Sequence, residues 1–132
     1  MALRWYSVVV EARDPRRLAD WWAEALGWEV AFASDDEVVV IPPWAAELGP
    51  TLRFEQVPPG LTFLRVDHDK QGKNRLHLDL APLPAQDRDA EIARLLAHGA
   101  TRVDVGQGPD VSWDVFADPD GNEFCLLSSR EA

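Results

Sequence analysis

The sequence has one cysteine, Cys125, which excludes an internal disulfide framework and a multi-cysteine zinc centre. No uninterrupted apolar run approaches the ~18–20 residues of a membrane-spanning helix. The start, Met1-Ala2-Leu3-Arg4-Trp5, lacks the basic opening and long apolar stretch of an export signal. Basic residues are scarce, 13 against 23 acidic ones, so the net charge is −10 and the pI is near 4.6. A field of that sign repels phosphate backbones and argues against nucleic acid as a partner. It suits a neutral or cationic small ligand, although solubility alone accounts for it. A phosphate cradle is missing, because Gly106-Gln107-Gly108 precedes a strand rather than a helix. So is Gly-x-Ser-x-Gly, which leaves serine hydrolases of that type unsupported. The expectation is a cytoplasmic protein with no membrane and no nucleic-acid partner.

What is present is a globular composition, 46% hydrophobic and 27% charged over 132 residues, enough for one domain or two half-size units. Residues 4–12 read as a strand. Asp14-Pro15 then supplies a side-chain cap and a proline at the first helical position. Leu18, Trp21, Trp22, Ala25 and Leu26 form one apolar stripe at helical spacing, and Gly27 closes it. Strands are expected at 28–33, 37–41 and 51–57, with Pro42-Pro43 stopping the third and a loop carrying Trp44 before the fourth. Residues 61–66 form a short apolar segment, followed by a polar linker.

The pattern then repeats about 70 residues on: a strand at 74–81, a helix at 87–97 with Ile92, Leu95 and Leu96 on one face, and strands at 101–105, 111–117 and 123–128. Asp118-Pro119-Asp120-Gly121-Asn122 reads as a tight turn. Six tryptophans are present. Trp21 and Trp22 belong to the helix stripe, and Trp44 and Trp113 are candidates for the rim of a cavity.

The βαβββ repeat, Asp14-Pro15 leading to Trp21-Trp22-Ala23-Glu24-Ala25-Leu26-Gly27-Trp28, and the Asp118–Cys125 stretch together resemble the vicinal oxygen chelate superfamily of glyoxalases, extradiol dioxygenases, fosfomycin-resistance enzymes and bleomycin-resistance proteins. Lys73-Asn74-Arg75-Leu76-His77-Leu78-Asp79-Leu80 is similar to its glyoxalase-like branch. The resemblance implies an α+β fold of two βαβββ modules, residues 1–66 and 67–132, forming a curved mixed sheet around a cavity with the helices outside. It also implies a homodimer.

The family's metal site draws one residue from the first and one from the last strand of each module. By position these are Ser7, Glu55, His77 and Cys125, with the same 48-residue spacing in both halves. Strand alternation puts Glu123 on the face of Cys125, and Arg75 and Asp79 on the face of His77, with Leu76, Leu78 and Leu80 toward the helix. The implied catalytic and metal-binding set is Glu55, His77 and Glu123, suited to Zn, Ni, Fe or Mn. Ser7 and Cys125 fill the other ligand positions, and Arg75, Asp79, Trp113 and Trp44 contact the substrate.

Two functional classes remain open. One is a metal-dependent lyase, isomerase or dioxygenase-like enzyme acting on a small oxygen-rich molecule, with the metal as Lewis acid. The other is a metal-free protein that sequesters a small molecule, as bleomycin-resistance proteins do. Arg75, His77 and Asp79 can also be read as a hydrogen-bonded network with no ligand.

Overall fold

The computed structural model describes residues 3–104 and 113–129. The positions expected to be strand at 105 and 111–112, and the Gly106-Gln107-Gly108 loop, lie outside the described residues. The chain divides into two compact units, Met1–Asp69 and Lys70–Ala132.

In the first unit, β1 (Ser7–Ala12) leads into α1 (Pro15–Leu26). The helix begins where the cap predicts: the Asp14 carboxylate accepts the Arg17 backbone N–H at 3.1 Å, and Pro15 occupies the first turn. It ends at Gly27, whose φ of 67° is the left-handed conformation a side chain resists, so its N–H can bond back to Ala23 and Glu24. Leu18, Trp21, Trp22 and Ala25 are buried, the two indoles edge to face at 5.2 Å.

Then come β2 (Glu29–Ala33), β3 (Glu37–Ile41), a short α2 (Pro43–Leu48) and β4 (Gly60–Arg65). The sheet order is β1-β4-β3-β2, with β1 and β4 parallel and the other pairs antiparallel. Val38, Val40, Leu61 and Phe63 are buried in it.

The second unit repeats this order: β5 (Leu78–Leu80), α3 (Arg88–Ala97), β6 (Thr101–Arg102), β7 (Asp114–Ala117) and β8 (Glu123–Leu126). Its sheet runs β5-β8-β7-β6, again with the first pair parallel. Phe116 and Phe124 are register partners with stacked rings 5.9 Å apart. Asp118 is buried, and its carboxylate accepts the backbone N–H groups of Asp120 and Asn122, both at 2.9 Å, which fixes the turn into β8. The fold is therefore α+β, two βαβββ modules with one four-stranded mixed sheet each. Among the described residues no helix is long and apolar enough to cross a membrane.

Several local expectations are corrected. The fourth strand is not 51–57 but Gly60–Arg65. Residues Gly49–Thr51 and Phe54–Gln56 are 3-10 turns, the second closed by the Gln56 side chain accepting the Arg53 N–H at 3.1 Å. Pro58-Pro59 offer no N–H to a ladder, so pairing starts after them. Pro43 starts a helix instead of merely ending a strand, because proline suits a first helical position and Ala45, Ala46, Glu47 and Leu48 favour the helix that follows.

In the second unit only Leu78–Leu80 of 74–81 joins the ladder; ahead of it, Asn74 reaches the Glu123 carbonyl with its side chain, at 3.1 Å. Leu76 is consequently 88% exposed instead of facing the helix, and Leu96 is exposed beside buried Ile92 and Leu95.

Candidate functional site

The parallel strand pair in each unit brings together residues that are distant in sequence. In the second unit, Asp79 on β5 is the register partner of Cys125 on β8. His77 stands two residues before Asp79 on the same side, and its Nε2 lies 3.0 Å from Asp79 Oδ1. The ligand atoms of His77, Asp79 and Cys125 all fall within 4.8 Å of one another. His77 and Asp79 are about half exposed, whereas the Cys125 thiol is buried behind them. Burial pushes that thiol's pKa up; the neighbouring Asp79 charge, a hydrogen bond with Asp79 and the Glu123 charge add to the effect. The shift favours the protonated thiol over the thiolate.

Glu123 is turned to another task. Its side chain is 14% exposed and both carboxylate oxygens lie 2.9 Å from Lys73 Nζ. The pair forms one wall of an open depression of about 550 Å³ also lined by Val103, Asp104 and Ala117. Arg75 is exposed on a bend and makes no hydrogen bond or ion pair with any described residue. Trp113 is exposed just ahead of β7.

In the first unit, Val9 and Thr62 pair in the register that Asp79 and Cys125 occupy in the second. Ser7 stands two residues before Val9, as His77 does before Asp79, and its Oγ lies 2.6 Å from Thr62 Oγ1. Thr62, not Glu55, is thus the residue that corresponds to Cys125. Glu55 sits exposed on the 3-10 turn with its carboxylate 3.0 Å from Arg53 Nε. The equal spacing that linked Glu55 to Ser7 is coincidental: 55 residues separate Ser7 from Thr62, because α2 and the 3-10 turns are inserted before β4. Trp44 is exposed on α2.

Of the residues singled out from sequence, the second unit therefore brings together His77, Asp79 and Cys125, and pairs Glu123 with Lys73. Sequence reasoning missed Thr62. The alternation of Leu61 and Phe63 around it, directly after Gly60, was the available signal.

A paired βαβββ architecture with its polar residues on the parallel strand pairs defines a class, the glyoxalase-like α+β proteins. The family model for the glyoxalase-like domain matches residues 7–127, and the chain belongs to that family. Among curated proteins none matches.

Solved structures share the fold at low identity. The oxidase ChaP-H2 is 20% identical with a TM-score of 0.63, over 99% of this chain and 96% of that one. The fosfomycin resistance protein FosX from Listeria monocytogenes, solved with Mn(II) and sulfate, is 14% identical with a TM-score of 0.70, over 98% and 93%. A glyoxalase/bleomycin resistance protein/dioxygenase family enzyme from Burkholderia phytofirmans PsJN is 13% identical with a TM-score of 0.69, over 97% and 100%.

Proposed function

We propose that this glyoxalase-like protein binds a small oxygen-rich molecule at the His77–Asp79 face, with a divalent transition metal held by His77, Asp79 and Cys125. The observation that carries the reading is the convergence of an imidazole, a carboxylate and a thiol within 4.8 Å. That donor set fits a borderline ion such as Zn(II), for which nitrogen, oxygen and sulfur donors are all acceptable, and three protein donors leave a coordination position open. The half exposure of His77 and Asp79 leaves the approach from solvent open. A metal there supplies Lewis acidity toward paired oxygens.

The chain's own residues do the rest. Asp79 sets the His77 ring through the 3.0 Å contact with Nε2, a contact that a bound ion would replace. Arg75, which has no partner among the described residues, is available to an anionic group on the ligand. The FosX structure with Mn(II) lends support by analogy of fold alone.

A metal-free binder is the second reading, and the Ser7–Thr62 pair favours it. At the corresponding place in the first unit, two hydroxyls satisfy each other and offer no metal donor of comparable strength. The exposed indoles of Trp44 and Trp113 and the charge of −10 suit a planar or cationic ligand.

Elemental analysis of protein purified without chelator separates the two. About one equivalent of a transition metal, lost in His77→Ala, supports the metal site. Metal-free protein whose tryptophan fluorescence is quenched by a ligand supports the binder. A homodimer belongs to the same proposal, and light scattering at about 30 kDa is the expected result.

A further inference from the structure

Arg4 is placed unlike any other basic residue described here. Its guanidinium carbon lies 4.3 Å from the centre of the Phe54 ring and 4.9 Å from that of Tyr6. A planar cation stacked on rings presents its N–H groups edgewise, in the plane away from the ring faces. Yet Arg4 donates no hydrogen bond and forms no ion pair with any described residue, and its Nε is buried without a partner. A buried donor left unmet is rare and calls for a partner. The nearest acid in sequence to this cluster, Glu55, is already taken by Arg53 at 3.0 Å. On a chain of net charge −10, Arg4 is therefore a local uncompensated cation.

The two rings are themselves open, Tyr6 at 69% and Phe54 at 66% exposure. Large apolar rings left in water beside a fixed guanidinium make a two-part recognition surface: a fork for two oxygens and a flat face for an apolar group. Arg4 and Tyr6 precede β1, and neither takes part in the Ser7–Thr62 contact. None of the cluster's three residues is among the donors discussed above.

We propose that Arg4, Tyr6 and Phe54 form a second ligand site, selective for a small carboxylate attached to a planar apolar group. The carboxylate takes the two terminal Nη groups of Arg4 in two parallel hydrogen bonds, and the planar group lies against Tyr6 and Phe54. Stacking restrains the guanidinium before the ligand arrives, which reduces the entropy lost on binding.

The test is an NMR titration of the ¹⁵N-labelled full chain with benzoate, with benzamide as the neutral isostere and inorganic phosphate as the anion without an apolar group. Saturable shifts of the Arg4 Nε–H and of amides at 4–6 and 53–55 are expected with benzoate. Benzamide and phosphate should bind at least about tenfold more weakly, the scale of one charge-assisted bond or one buried ring. Arg4→Gln should abolish the shifts, and Arg4→Lys, which keeps the charge and loses the planar fork, should weaken them by about tenfold. His77→Ala should leave them intact, so this site stands or falls separately from the His77 face. No saturable shift, equal binding of benzamide or phosphate, or persistence in Arg4→Gln overturns the proposal. If Arg4→Gln does not fold, the comparison of the three probes on the unmodified chain decides alone.

Discussion

Thr62, whose hydroxyl lies 2.6 Å from that of Ser7, pairs with Val9 in the first unit as Cys125 pairs with Asp79 in the second, and Ser7 stands two residues before Val9 as His77 does before Asp79. One parallel strand pair has put a mutually satisfied hydroxyl couple where its counterpart has an imidazole and a thiol. Ser7→Ala and Thr62→Ala are each expected to cost about 1 kcal/mol, the net worth of a part-buried hydrogen bond. Neither should change bound metal. Chemical denaturation and elemental analysis of the same samples check both statements.

Glu55 is exposed and paired with Arg53 on a 3-10 turn. An exposed ion pair contributes little. Glu55→Gln should therefore leave the melting temperature within about a degree or two of the parent and any metal content unchanged, whereas His77→Ala should empty the proposed site. A loss of metal in Glu55→Gln would return that carboxylate to the ligand set.

Arg88 opens α3 and ties it to the end of β8. Its guanidinium donates to the Leu126 and Leu127 carbonyls at 2.9 and 3.1 Å and to the Asp114 carboxylate at 2.9 Å. Arg88→Ala leaves those acceptors partly unmet and is expected to destabilise the fold by about 2 kcal/mol. Arg88→Lys can restore one of the bonds but not the fork, and should recover only part of the loss. Thermal unfolding of both variants measures the difference.

Cys125 gives a pH dependence with a definite sign. Its thiol pKa is raised in the folded chain from an ordinary value of 9.0, first by burial and then by Asp79. Above that ordinary value the unfolded thiol releases its proton while the folded one keeps it, so the folded state binds more protons and stability falls as pH rises. The contribution is fully present below the ordinary value and is lost as pH climbs through the folded pKa. Cys125→Ala should flatten this part of the stability profile above pH 9. Alkylation of the native protein near neutral pH should be slow compared with the unfolded chain, as timed mass spectrometry would show.

Much of the fold is legible one segment at a time. Asp14-Pro15 and Gly27 bound α1, Asp87 caps α3, and both helices bury part of the stripe their periodicity announces. The Asp118 turn and the 70-residue repeat are equally local in origin, written in cap chemistry, glycine conformation and apolar spacing. The site was legible only in part: His77, Asp79, Glu123 and Cys125 share a strand parity, but parity alone does not say which of them meet. Residues 51–57 have strand-like composition yet turn on the Gln56 side chain, and β4 lies beyond them where β1 and β3 can both pair with it. Strand pairing is a nonlocal bargain, because a strand's ladder bonds and burial come from its neighbours and not from its own residues. The sequence by itself thus determined α1, α3, the Asp118 turn and the doubled module. Only the tertiary structure decided that Thr62 answers Ser7, that Cys125 meets Asp79 while Lys73 takes Glu123, and that Arg4 reaches Phe54 as well as its near neighbour Tyr6, since each of these joins segments whose separation in sequence carries no signal of contact.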